Sequence, residues 1–268
     1  MLFLLSPAKT LDYATPVPTA LRKKATDPLY ADEAEALIAV LRKQSPARVA
    51  RLMDLSDKLA LLNAERYAAW QPTATPANSK PAVLAFDGDV YGGLDARSLK
   101  TADHSWAQQH LVILSGLYGA LRPLDLLQPY RLEMGTALKT ARGKDLYAYW
   151  GDTVAEYLNT RLGGETAPVV INLASVEYAR VALRKALQAR VVDCVFEEGQ
   201  ADGSYKVISF FAKRARGLMA RHAILNRARS VRALRSFSAE GYALARETST
   251  SSRLVFRRAA GAAPAQAA

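Results

Sequence analysis

Cysteine is nearly absent from this chain: Cys194 is the only one among 268 residues, so no internal disulfide can form. Histidine is almost as scarce. His104, His110 and His222 lie far apart, and neither H-E-x-x-H nor C-x-x-C occurs, so no tight transition-metal site can be read. An iron-storing role is therefore not legible, and the sequence calls for no cofactor. Long apolar runs are missing as well. The opening MLFLLSPAKT has no basic segment before its apolar run and is far too short to span a membrane, so the expectation is a soluble cytoplasmic chain with no membrane partner. Acid is short relative to base, with 25 Asp and Glu against 36 Lys and Arg and a net charge of +11. Such an excess implies an anionic partner, and charge alone does not choose between nucleic acid and phosphorylated small molecules.

What is present is enough apolar material for a large core, half the composition being hydrophobic. Continuous apolar runs at residues 2–5, 81–86, 111–114 and 169–173 read as buried strands. Residues 191–196 and 205–211 flank an acidic loop and read as a hairpin, and 241–246 with 253–258 as a terminal strand pair. Helical patterns lie between them. The expected fold is α/β in the mixed α+β sense: a central mixed sheet with surrounding helices and a helical insertion over 27–71, all in one domain over 1–258. In that insertion Asp27-Pro28 reads as a helix start, Ser45-Pro46 as a second and Ser56-Asp57 as a third. The end, AAGAAPAQAA over 259–268, is too poor in large apolar groups to offset its ordering entropy and reads as a disordered tail.

The densest chemistry lies in LSGLYGALRPLDLLQPYRLEMG, residues 114–135, where Arg122, Asp125, Arg131 and Glu133 interrupt an apolar run among fixed turns. Charges in apolar surroundings must be paired or in use, so the segment is either a structural ion-pair knot or part of a site. Other strand-like runs end in polar loops too. Ser6-Pro7-Ala8-Lys9-Thr10 offers hydroxyls and an ammonium to an oxyanion, or is a capped turn; its S-x-x-K spacing has no companion motif. Asp87-Gly88-Asp89 offers two carboxylates for a cation or for acid/base work, or is a turn with a cap. If these runs neighbour one another in one sheet, the loops converge, and Lys9, Asp87, Asp89, Arg122, Arg131 and Glu133 become the candidate catalytic set.

Two further features suit a polyanion. Between residues 213 and 235 there are eight Lys and Arg and not one acid, with Lys213, Arg216 and Arg221 opposite the apolar side of a helix and Arg214 beside them. VARLMDLSDKLALLNAERYAAW resembles a helix-hairpin-helix in its spacing, with Ser56 and Lys58 placed to meet a phosphate. Asp54 and Ser56 stand where that module usually has glycines. The candidate nucleic-acid contacts are therefore Ser56, Lys58, Lys213, Arg214, Arg216 and Arg221, with double-stranded DNA or RNA as the partner. The alternative is an enzyme acting on a nucleotide or damaged nucleobase with one of the loop carboxylates as acid/base.

The ordered blocks MLFLLSPAKTLDY, SDKLA, FDGDVYGGL, LSGLYGALRPLDLLQPYRLEMG, GKDLYAYWGD, ISFFAKRARGLMAR and AEGY closely resemble the bacterial peroxide-stress protein YaaA family from residue 1 to about residue 258. The resemblance implies a cytoplasmic protein of the hydrogen-peroxide response that limits damage by lowering free intracellular iron. It also implies a mixed α/β fold in which a positively charged cleft and the helix-hairpin-helix lie together.

Overall fold

The computed structural model describes residues 1–262. The expected disordered tail falls partly on residues 263–268, outside the described residues, while Ala262 closes a turn on the carbonyl of Ala259.

An eight-stranded mixed sheet forms the centre. Its strands are β1 (Leu2–Leu5), β2 (Leu111–Ser115), β3 (Gly119–Leu121), β4 (Val169–Leu173), β5 (Arg190–Gly199), β6 (Tyr205–Lys206), β7 (Ala243–Leu244) and β8 (Arg253–Arg258). The spatial order is β7-β8-β5-β4-β1-β2-β3, with β6 paired to β5. β1 is central. It runs parallel to β2 with Phe3 opposite Leu111, and parallel to β4 with Phe3 opposite Ile171. The chain goes from β1 to β2 on one side, then crosses back to place β4 on the other, and β5 and β8 continue parallel beyond it. The order therefore reverses between β1 and β4, which is where open parallel sheets leave a crevice beyond the carboxyl ends of their strands. Complete burial of β1 and β2 explains why both read as unbroken apolar runs: helices cover the sheet on both faces.

Two of the expected strands are corrected. Residues 82–85 form a short helix between two-residue strands at Lys80–Pro81 and Phe86–Asp87. A four-residue apolar run cannot tell buried strand from buried helix, and here Ala82 and Val83 give their amides to the carbonyls of Asp125 and Pro123 instead of to a ladder. Beyond Lys206 the second arm of the hairpin leaves the sheet, and Ser209 starts a long helix. The two-residue strand Phe86–Asp87 pairs antiparallel with Thr10–Leu11, which sets Asp87 opposite Thr10.

The helices used below are α1 (Ala31–Leu41), α2 (Pro46–Met53), α3 (Asp57–Ala69), α4 (Asp89–Leu94), α5 (Thr101–His110), α6 (Leu146–Trp150), α7 (Thr153–Leu162), α8 (Val176–Ala182) and α9 (Ser209–Leu225). α1 starts later than the Asp27-Pro28 signal, with Tyr30 as its N-cap. Ser45 and Ser175 cap α2 and α8 through side-chain hydrogen bonds, as their residue types favour. α2 and α3 form a hairpin in which Asp54 takes the left-handed conformation at φ 51°. α9 packs along α4 at unusually short range. A Cβ on Gly217 would lie 1.8 Å from the Val90 carbonyl oxygen, and one on Gly93 would lie 2.2 Å from the Arg214 carbonyl oxygen. Only glycine at both positions permits that approach. Among the described residues no helix is long and apolar enough to cross a membrane.

Candidate functional site

A cavity of about 510 Å³ opens at the reversal point between β1 and β4. The two strand ends that frame it are joined there, the Ser175 amide donating to Ser6 Oγ at 2.9 Å. Five of the six residues expected to be catalytic meet in its walls: Lys9, Asp87, Asp89, Arg131 and Glu133. Each arrives for a local reason. Lys9 follows β1, Asp87 is held by its pairing with Thr10, and Asp89 begins α4. Arg131 and Glu133 sit on the extended segment after β3, and the Tyr67 hydroxyl of α3 donates to the Arg131 carbonyl. The helical hairpin thus braces one wall of the cavity.

Arg122 is the exception. It bonds Asp125 at 2.9 Å and reaches the Asp27 carbonyl at 3.3 Å, away from the cavity lining. Asp125 is buried, accepts also from Thr26 at 2.6 Å, and burial raises its carboxyl above the ordinary value despite these donors. That pair is the structural ion-pair knot, so the 114–135 stretch divides into a fold-holding part and a site-lining part.

The expected nucleic-acid set divides too. Lys213 and Arg216 of α9 line the same cavity, because the glycine-mediated contact with α4 draws that helix over it. Arg214 turns away and holds Glu240 at 2.6 Å. Arg221 donates to the carbonyls of Leu94 and Asp95 at 3.0 and 2.9 Å. Arg227 bonds Asp103 at 2.6 Å. The acid-free run is therefore not an open cationic face: tertiary structure supplies Glu240, Asp95 and Asp103 from other elements. Ser56 and Lys58 are exposed at the start of α3 and do not line the cavity. Ser56 makes no side-chain cap, so the first-turn amides of α3 have no bond from it.

Four basic side chains line the cavity (Lys9, Arg131, Lys213, Arg216) and four acidic ones (Asp87, Asp89, Glu133, Glu177), so it is charge-balanced and not uniformly positive. Partnering is uneven. Glu133 bridges Lys9 and Arg131, each at 2.9 Å. Glu177 accepts from the Gly135 amide at 2.8 Å. The side chains of Asp87, Asp89 and Lys213, and the guanidinium of Arg216, make no hydrogen bond or ion pair among the described residues. Arg216 is half-buried, and desolvation lowers its pKa, yet guanidinium stays protonated. Two cations and two carboxylates lining one cavity without partners are groups available to a ligand. Tyr130 and Tyr178, both buried, also line it; burial pushes the Tyr178 hydroxyl well above its ordinary pKa, with Tyr130 and the charges of Glu177 and Glu133 adding to it. Sequence reasoning missed both tyrosines and Glu177. Tyr130 adjoins Arg131, and Glu177 sits in the first turn after the Ser175 cap, so adjacency was the signal.

A family model described as peroxide stress protein YaaA matches residues 1–248. The chain belongs to the peroxide stress protein YaaA family. It is 65% identical over 258 residues to a UPF0246 protein of Leptothrix cholodnii, covering 96% of this chain and 98% of that protein. Similar relatives are a UPF0246 protein of Polaromonas naphthalenivorans, 59% identical over 98% of this chain and all of that one, and one of Bordetella avium, 58% identical over 96% and 99%. Membership in the YaaA family supports a role in peroxide stress and agrees with the resemblance drawn from the sequence blocks. In this member the sole thiol, Cys194, lies inside β5, where burial and then the Asp193 charge push its pKa up to about 12. Peroxide reacts with thiolate, so Cys194 is chemically quiet.

Proposed function

We propose that this protein acts in the cytoplasm during peroxide stress to lower free iron and limit oxidative damage, through or alongside sequence-nonspecific binding of nucleic acid at the β1/β4 cavity. The observation that carries the binding is Arg216, half-buried over the cavity beside Lys213, with no carboxylate partner among the described residues. Phosphate supplies what that guanidinium lacks, and Arg is the better fork for it. The α2–α3 hairpin offers a second contact through Lys58, Ser56 and the first-turn amides of α3, one Tyr67 hydrogen bond from the cavity wall.

Binding of labelled duplex DNA and RNA across roughly 50 to 200 mM salt tests this reading: several phosphate contacts make affinity fall by orders of magnitude over that range. No salt-sensitive binding at the lowest salt overturns it. The link to iron is tested separately. In peroxide-treated cells carrying Lys213→Gln with Arg216→Gln, chelatable iron should stay as high as in cells without the protein; if the variant still lowers iron, the two activities are unconnected.

One observation favours a second reading, an enzyme acting on a nucleotide or nucleobase. The cavity has the size of a small-molecule site, and Asp87 and Asp89 line it without a protein partner among the described residues, open to a proton on a bound substrate. Asp89→Asn would then abolish turnover of nucleotide substrates while leaving salt-dependent binding in place.

A further inference from the structure

Next to the cavity lies a feature the binding reading does not use. Val207 and Ile208, just before α9, and Phe210 in its first turn are 53%, 38% and 43% exposed. Large apolar side chains clustered on a surface mark contact sites, and along the chain this group lies between the exposed Lys206 and Lys213. The segment is firmly held at both ends. On one side Tyr205 pairs with Gly199 in the β5–β6 hairpin, and the Arg257 guanidinium lies 4.3 Å from its ring centroid. On the other the Phe211 ring lies under Arg258, itself buried and fixed by Glu198 at 2.8 Å. Phe210 stands one helical turn before Lys213, so the exposed apolar tip and the cavity rim lie along one strip of α9.

The cavity has matching chemistry. Tyr130 and Tyr178 are among its lining, and its charged side chains without a partner among the described residues are Lys213, Arg216, Asp87 and Asp89. A carboxylate accepts hydrogen bonds, so the two without partners, Asp87 and Asp89, together call for two N–H donors from a planar ligand in the cavity. The exocyclic amine of adenine, cytosine or guanine supplies two N–H; thymine has no such amine and offers only its ring N3–H. Phosphate for Arg216 and Lys213, a base with an amine for Asp87 and Asp89, and an apolar tip to enter the vacated stack together describe one ligand.

We infer that the cavity receives a single amine-bearing base turned out of a nucleic-acid strand, with Val207, Ile208 and Phe210 entering the stack beside it. This rests on the nucleic-acid reading above and names what the recess is for. Extruding a base costs unstacking and unpairing, least where the base is already unpaired, and inserted apolar wedges are a recurrent way of meeting that cost.

The test compares three labelled duplexes with the full-length protein at a salt concentration where all bind: fully paired, one central adenine opposite an abasic site, and one central thymine opposite an abasic site. The adenine duplex should bind about tenfold or more tightly than the paired one, with the thymine duplex close to the paired one. Asp87→Asn with Asp89→Asn should bring the ratio of adenine-duplex to paired-duplex affinity down to about one, whatever it does to affinity for duplex in general, and Phe210→Ser should reduce that ratio. All three carry exposed or half-exposed side chains, and circular dichroism verifies folding. Equal affinity for all three duplexes overturns this inference and leaves the binding reading standing; equal preference for adenine and thymine overturns it as well. Absence of binding to any duplex removes both.

Discussion

Gly217 on α9 lies so close to the carbonyl oxygen of Val90 on α4 that a Cβ there would sit 1.8 Å from it. That contact places Lys213 and Arg216 over the loops that carry Lys9, Asp87 and Asp89. Gly217→Ala must push the helices apart or distort both, at a cost of at least about 2 kcal/mol. Urea denaturation should show the loss, and binding should weaken even where the variant is folded, because the cations move away from the cavity. A stable variant with unchanged binding would mean that the close approach does not position the site.

A buried cation in the fold rather than the site governs acid stability. Lys80 is 3% exposed and donates to the carbonyls of Asp12 and Thr15 at 2.5 and 2.9 Å, with the Asp12 carboxylate at 3.4 Å. Burial by itself raises the Asp12 carboxyl, but bonds from Thr15 and Arg97 and the Lys80 charge outweigh it and hold it far below the usual carboxylate range. A folded-state pKa below the unfolded one means stability fully present above about pH 4 and lost as pH falls below that. Asp12→Asn should cost about 3 kcal/mol at neutral pH, since it leaves Lys80 buried without its counter-charge. The gap in urea midpoint from wild type should close as pH is lowered; a constant gap would contradict the linkage.

His104 gives a second, separate pH window. It is 1% exposed on α5, neither ring nitrogen has a well-aligned hydrogen-bond partner among the described residues, and burial lowers its pKa despite the nearby Ala96 backbone and the Asp103 charge. Burial also lowers His110 on the same helix. A histidine kept neutral by the fold takes up its proton more readily when unfolded, so stability falls as pH drops below about 6.5. His104→Leu should flatten part of that slope and leave the share of His110. An unchanged slope would place the titration elsewhere.

Cys194 should be inert in the folded protein. A thiol-specific chromogenic reagent should react only after denaturant is added, and hydrogen peroxide should leave the native thiol intact. Rapid labelling of the native protein would contradict the burial in β5 and reopen a redox role.

Much of the sheet was legible in the sequence because its central strands are buried on both faces, so runs such as 2–5, 111–114 and 169–173 need no tertiary knowledge to be read. The short run at 82–85 was not, since four apolar residues satisfy helix and strand alike and the deciding partners, Asp125 and Pro123, lie some forty positions on. The loops at Lys9, Asp87, Asp89, Arg131 and Glu133 were grouped because each follows an apolar run read as a strand; before Asp87 that run is a helix, and it is the pairing of Asp87 with Thr10 that brings it to the end of β1. Arg122 was misplaced among them because charge spacing does not reveal that Asp125 faces inward. The basic run was legible as charge and misread as a free face for the same reason: Glu240, Asp95 and Asp103 come from other parts of the chain. Gly93 and Gly217 carried the decisive packing, and sequence alone does not say which glycines touch.

The most direct test of the central claim sets Arg216→Gln against Arg221→Gln in binding to duplex DNA over a salt titration. The two arginines lie on one helix and lose the same charge, but Arg216 faces the cavity without a partner, whereas Arg221 is tied to the carbonyls of Leu94 and Asp95. Arg216→Gln should weaken binding roughly tenfold at low salt and reduce the salt slope by about one, and Arg221→Gln should leave the slope near wild type. Equal effects, or a larger one at Arg221, would show that charge spread over the helix and not the cavity holds the nucleic acid.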